Sequence, residues 1–192
     1  TATGKTLTLN EDSSYTFVVN DFGFADGNDS PANALSSVII STLPTAGSLK
    51  LNGVTVTTNQ SIAVSDITAG KLVFAPAANA NGTGYASIGF KVKDNGGLAN
   101  GGVDTSAEAT FTVDVTSVND APTGANKTLS VVQGDSHTFA VSDFGFADGN
   151  DSPAANALMN VIITARPSAG TLKLSGVDVT ANQSIAVTDI TA

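Results

Sequence analysis

Apolar and polar residues alternate in short runs along this chain: Leu7 and Leu9; Tyr15, Phe17 and Val19; Leu72 and Phe74; Ile88, Phe90 and Val92; Phe111, Val113 and Val115. A period of two puts every second side chain on one face of an extended backbone, so each run predicts a half-buried β-strand. Turn formers separate the runs: Pro44-Thr45-Ala46-Gly47, Asn52-Gly53, Asn79-Ala80-Asn81-Gly82 and Asn95-Gly96-Gly97. Asn52-Gly53 suits a two-residue type I′ hairpin, which pairs Leu51 with Val54 and Leu49 with Val56 and puts all four on one face. Only Ser65 to Ala69 reads as a helical turn. Many short strands, regular turns and abundant Thr and Val predict an all-β fold, an antiparallel β-sandwich.

The strand pattern occurs twice. The string DFGFADGNDSP at Asp21 to Pro31 recurs letter for letter at Asp143 to Pro153, 122 residues later. Lys5-Thr6-Leu7 answers to Lys127-Thr128-Leu129, and Thr16-Phe17 to Thr138-Phe139. Asn59 to Val64 answers to Asn182 to Val187 after a one-residue insertion near Ala155. The unit is about 120 residues, an ordinary domain size. Residues 1–122 therefore read as one complete repeat with an exit linker at 117–124, and 125–192 as the N-terminal part of a second. Counterparts of Gly70 to Val118 do not follow in the second copy. Two readings stay open: the chain is a fragment of a longer array, or a neighbouring chain supplies the missing strands and the second copy self-associates.

Charge and composition narrow the function. Seventeen acidic residues against eight basic ones leave a formal net charge of −9. Such a surface repels phosphate backbones and anionic headgroups, so nucleic-acid binding is not expected. No apolar run approaches the roughly 18 residues that span a bilayer, so no membrane insertion is expected either. The absence of Cys removes disulfides and zinc–thiolate sites, leaving oxygen ligands for any metal staple. The chain opens at Thr1 without a basic and apolar leader, so any export signal is expected outside it.

The residues with chemical content are acidic loops: Asp21, Asp26, Asn28 and Asp29, repeated as Asp143, Asp148, Asn150 and Asp151. Asx side chains are ordinary turn formers, yet three carboxylates within nine residues repel one another. A divalent cation relieves that repulsion, and Ca2+ prefers such oxygen ligands. Phe22 and Phe24 are expected to anchor the loop in the core. Counting strands places Asn10-Glu11-Asp12 and the exit segment Val118-Asn119-Asp120 at one pole, and the Asp21 to Asp29 and Asp94 to Asp104 loops at the other. Stacked units would then bring Glu11, Asn119 and Asp120 toward Asp143, Asp148 and Asp151, a cation cage between repeats.

The TSVNDAPT string, the EDSSYTF opening, the DFGFADGNDSPANAL loop and the GYASIGFKVKDNGG stretch carry a resemblance that covers essentially the whole chain. Together they resemble the cadherin-like, chondroitin-sulfate-proteoglycan-type tandem repeats of giant bacterial surface adhesins. That resemblance implies a cadherin- or immunoglobulin-like sandwich, extracellular location at the cell surface, export by type I secretion, and calcium-stiffened arrays that serve adhesion or biofilm formation. The partners it implies are neighbouring repeats of the same chain. In the more distant animal cadherin linker, Asp-x-Asn-Asp-Asn-Ala-Pro, Asn119 and Asp120 carry over, while Ser117 stands where the first Asp belongs. Glu11 matches the strand-corner Glu, with Asp12 beside it; the second copy has Gln133-Gly134-Asp135 there.

Catalysis has few candidate residues. His137 is the lone His, stands where the first copy has Tyr15, and reads as packing rather than as a general base. No enzyme is expected. Calcium in a β-sandwich loop can also coordinate sugar hydroxyls, so a calcium-dependent carbohydrate-binding module is the alternative, although the chain has no Trp for a stacking platform. Gly96-Gly97 and Gly101-Gly102 lack the spacing of a calcium β-roll and read as a hairpin loop.

Overall fold

The computed structural model describes residues 1–191. The chain is all-β, with several antiparallel sheets and little helix. It divides into two compact units, Thr1–Val118 and the residues from Asn119 onward, so the division falls inside the predicted exit linker.

Unit 1 contains β1 (Thr6–Asn10), β2 (Tyr15–Thr16), β3 (Leu35–Thr42), β4 (Ser48–Leu51), β5 (Val54–Thr55), β6 (Gln60–Ala63), the short helix α1 (Val64–Thr68), β7 (Leu72–Ala75), β8 (Gly82–Asp94) and β9 (Ala109–Thr116). One sheet has the order β1-β9-β8-β3-β6 and the other β2-β7-β4-β5. Alternate residues from both sheets meet in one core. Leu7 comes from β1, Val38 and Ile40 from β3, Leu49 from β4, Phe74 from β7, Ile88 and Phe90 from β8, and Phe111 and Val113 from β9. Phe90 and Phe111 stack with ring centroids 4.4 Å apart, and Phe22 meets them edge-on at 5.2 and 5.4 Å. Aromatic pairs in such geometry add about 0.5–1.5 kcal/mol beyond their buried area.

Three local departures from the sequence reading have physical causes. β1 pairs with β9 in parallel, Thr6 opposite Thr112 and Asn10 opposite Thr116, although an entirely antiparallel sandwich was expected. Parallel pairing needs a long crossover, and here nearly the whole unit lies between the two strands. The strand expected to run through Tyr15, Phe17 and Val19 stops at Thr16, and Val19–Phe22 winds into a 3-10 turn. Asp21 drives this turn, since its carboxylate accepts the N–H of Val18 at 2.8 Å, a bond that an extended strand does not offer. Third, the Asn52-Gly53 hairpin has the expected register and positive φ at both turn residues, and Leu49 and Val56 are buried. Val54, on the same face beside the turn, is 72% exposed, at the start of a two-residue strand on the edge of its sheet.

Unit 2 contains β10 (Asn160–Ile163), β11 (Lys173–Leu174), β12 (Val177–Asp178), β13 (Gln183–Ala186) and α2 (Val187–Ile190). β10 pairs with β13 and β11 with β12, as β3 pairs with β6 and β4 with β5. Ser175-Gly176 makes the same positive-φ turn as Asn52-Gly53. No strands form at the counterparts of β1 and β2. In unit 1, β9 and β8 lie between β1 and β3, and β7 lies between β2 and β4. Without such central strands the early segments have no ladder to join. Phe139, the counterpart of fully buried Phe17, is 37% exposed.

Candidate cation-binding loops

The twelve residues singled out by the sequence fall into distinct local settings. At the corner after β1, Glu11 is 4% exposed. Its Oε1 accepts from Ser117 Oγ at 2.9 Å and from the Val118 N–H at 2.6 Å, and its Oε2 accepts from Asn81 Nδ2 at 2.9 Å. The Asn81 and Val118 bonds hold its carboxyl below the usual range, against the opposing effect of burial. Asp12 adopts a positive φ and accepts the Asn79 N–H at 3.0 Å. Within unit 1, the corner therefore meets Ser117 and Val118, the start of the exit segment.

Asp21, expected beside Asp26 and Asp29, is instead turned into the body of unit 1 and buried. One oxygen lies 2.5 Å from Lys5 Nζ and 3.0 Å from the Tyr15 hydroxyl, and the other takes the Val18 N–H. The same carboxylate raises the pKa of Lys5, chiefly through the hydrogen bond; Tyr15 is raised first by burial and then by its bond to Asp21. Asp143 repeats this arrangement in unit 2 with Lys127, the Ala140 N–H at 2.9 Å, and His137 Nε2 at 2.9 Å in place of Tyr15. Those three partners, the Ala140 N–H foremost, hold Asp143 far below the usual carboxylate range. His137 also packs edge-on against Phe139 at 5.1 Å. Asp21 and Asp143 are thus neutralised by protein cations and cap 3-10 turns.

Asp26 and Asp29 meet at Asn33. Asp26 Oδ2 accepts the Asn33 N–H at 2.6 Å, and Asp29 Oδ2 accepts from the Asn33 side chain at 3.0 Å. The 94–104 loop does stand at this pole, since Asn95 Oδ1 accepts the Ala34 N–H at 2.9 Å. A cleft of about 520 Å³ opens between the loops, lined by Phe24, Asp26, Asn28, Asp29, Asp94 and Glu108 among others.

Unit 2 repeats the arrangement with Asn156 in place of Asn33. Asp148 Oδ2 accepts the Asn156 N–H at 2.8 Å. The Asn156 side chain donates to Asp151 Oδ2 and, at 2.9 Å, to Asn119 Oδ1. Asp151 Oδ1 accepts the Asp120 N–H at 2.7 Å, and Asn119 Nδ2 donates to the Asp120 carbonyl at 2.9 Å. Asp148 is 7% exposed, and its Oδ1 is buried with no hydrogen-bond partner. Asn150, between the two carboxylates in sequence, is exposed.

Asn33, Asn81, Ser117 and Asn156 join these networks without having been predicted as ligands. For two of them a signal existed, because Asn-Ala-Leu follows the acidic string in both copies. Among the described residues, no three His, Cys, Asp or Glu side chains converge as a metal site. The oxygen sets are instead two carboxylates joined by asparagine amides. No protein-family model, curated protein or solved structure matches this chain. Among the described residues, no helix is long and apolar enough to cross a membrane.

Proposed function

We propose that this chain is a calcium-stabilised extender segment of a large bacterial cell-surface adhesin, acting outside the cell to space an adhesive domain and serving adhesion or biofilm formation. The observation that carries the reading is the partnerless, buried Oδ1 of Asp148. A buried carboxylate oxygen without a donor is costly, and a cation relieves it. The donor set fits a hard ion: Asp148, Asp151 and the side-chain oxygen of Asn119 are all oxygen ligands, gathered in unit 2 around Asn156. When bound, calcium would neutralise the two carboxylates and lock their loop. Asp26 and Asp29 form the corresponding pair in unit 1. The other predicted ligands fit less well, since Asp21 and Asp143 already face lysines.

On this reading the chain is a spacer rather than an enzyme, and its partners are neighbouring repeats. The apolar face of unit 2 takes strands patterned like β7 to β9, from the same polypeptide or from a neighbouring chain; sedimentation of the 192-residue chain measures self-association directly. Thermal unfolding in calcium and in chelator tests the metal. An unchanged midpoint removes calcium from the account.

The acidic cleft of unit 1, with Phe24 also in its lining, favours a second reading as a calcium-dependent carbohydrate-binding module. A glycan array on the chain separates the two. A sugar retained only in calcium supports the lectin, and no retained sugar supports the extender.

A further inference from the structure

We infer that Glu11 is a metal-independent clasp that fastens the exit segment of unit 1 to its body, and not a cation ligand. Both of its oxygens already receive hydrogens. Oε1 takes the Ser117 hydroxyl and the Val118 N–H, and Oε2 takes the Asn81 amide, within a side chain that is almost wholly buried. These donors come from the turn between β7 and β8 and from the residues just past β9, so one carboxylate ties together three segments that are remote in sequence. Charge-assisted bonds of this kind are the strong ones, and the Val118 contact at 2.6 Å is short for an N–H donor.

A cation competes poorly for this carboxylate. The two N–H donors offer a cation no lone pair to bind, and a cation displacing them would leave the Val118 N–H and the Asn81 amide without their acceptor. The backbone prepares the geometry without help: Asn10 pairs with Thr116, and the Glu11 N–H donates to the Thr116 carbonyl at 2.9 Å, which carries the side chain to the start of the exit segment. The inference stands apart from the calcium reading of unit 2, and failure of that reading leaves it intact.

The nearly isosteric Glu11→Gln is the direct test, because it keeps one acceptor oxygen and turns the other position into a donor facing Asn81. Hydrogen exchange of the Val118 amide is followed by NMR on the full 192-residue chain, in chelator and in calcium. The expected result is a Val118 amide protected in chelator, with exchange accelerated at least about tenfold by Glu11→Gln under both conditions. Asn81→Ala, at the turn on the other side, is expected to weaken the same protection without regard to calcium. The inference is overturned if Val118 becomes protected only when calcium is added, or if either variant changes its exchange in calcium alone.

Discussion

Lys5 Nζ stands 2.5 Å from Asp21 Oδ1, and the pair recurs in the second unit as Lys127 and Asp143. An acidic residue that opens a loop rich in carboxylates is thereby withdrawn from that loop. Its charge is spent on a lysine from β1's approach and on the start of a 3-10 turn, and the acidic character of the loop falls to the residues after it.

Replacing Asp21 with Ala should therefore destabilise unit 1 without touching any calcium response. The Val18 N–H and the Tyr15 hydroxyl would lose their acceptor, at a cost of about 2 kcal/mol or more. Urea unfolding in calcium and in chelator checks this, and an equal loss under both conditions is the expected outcome.

Asp148→Asn should act in the opposite way. It removes a buried carboxylate oxygen that has no donor, so stability in chelator is expected to hold or rise. At calcium about a hundredfold above the dissociation constant, a one-site ion contributes about 2.7 kcal/mol to the wild-type chain. That increment should be absent from the variant, as read by the difference in melting temperature between calcium and chelator.

Acid should unfold unit 2 partly through Asp143. Its folded pKa is lowered by the Ala140 N–H, Lys127 and His137, so its contribution is present above the unfolded carboxylate value of about 3.9 and is lost as pH falls through the folded one. Asp143→Asn should flatten the fall in stability below about pH 4. At the other end, Lys5 and Tyr15 are raised, so their contributions are present below about pH 10 and lost as pH climbs through their folded values. Tyr15→Phe should leave a shallower alkaline limb. Unfolding monitored by circular dichroism across pH checks both.

Phe111→Ala should cost about 3–5 kcal/mol, because Phe111 is fully buried and touches Phe17, Phe22 and Phe90. Phe139→Ala in unit 2, where the ring is partly in water, should cost much less. Parallel urea titrations of the two variants compare them.

The fold was largely legible in the sequence because strand burial is a local, periodic property. Leu72 and Phe74, or Ile88, Phe90 and Val92, point inward because alternate side chains of any strand share a face, and each of these is buried. The hairpin at Asn52-Gly53 was legible for a similar reason, since the two residues that accept positive φ sit side by side. Val19 broke the pattern because a side-chain bond three residues long competed with the strand. The acidic loops were legible as acidic, and no further.

Repetition, strand periodicity, turn chemistry and the excess of negative charge all belong to the sequence, because each depends on neighbours along the chain. The tertiary structure alone decided what each carboxylate does. Asp21 meets a lysine sixteen residues away, Glu11 meets an N–H 107 residues away, and Asp148 keeps one oxygen buried without a donor. A carboxylate's role is set by the donors that reach it through space, and folding brings those donors from distant segments.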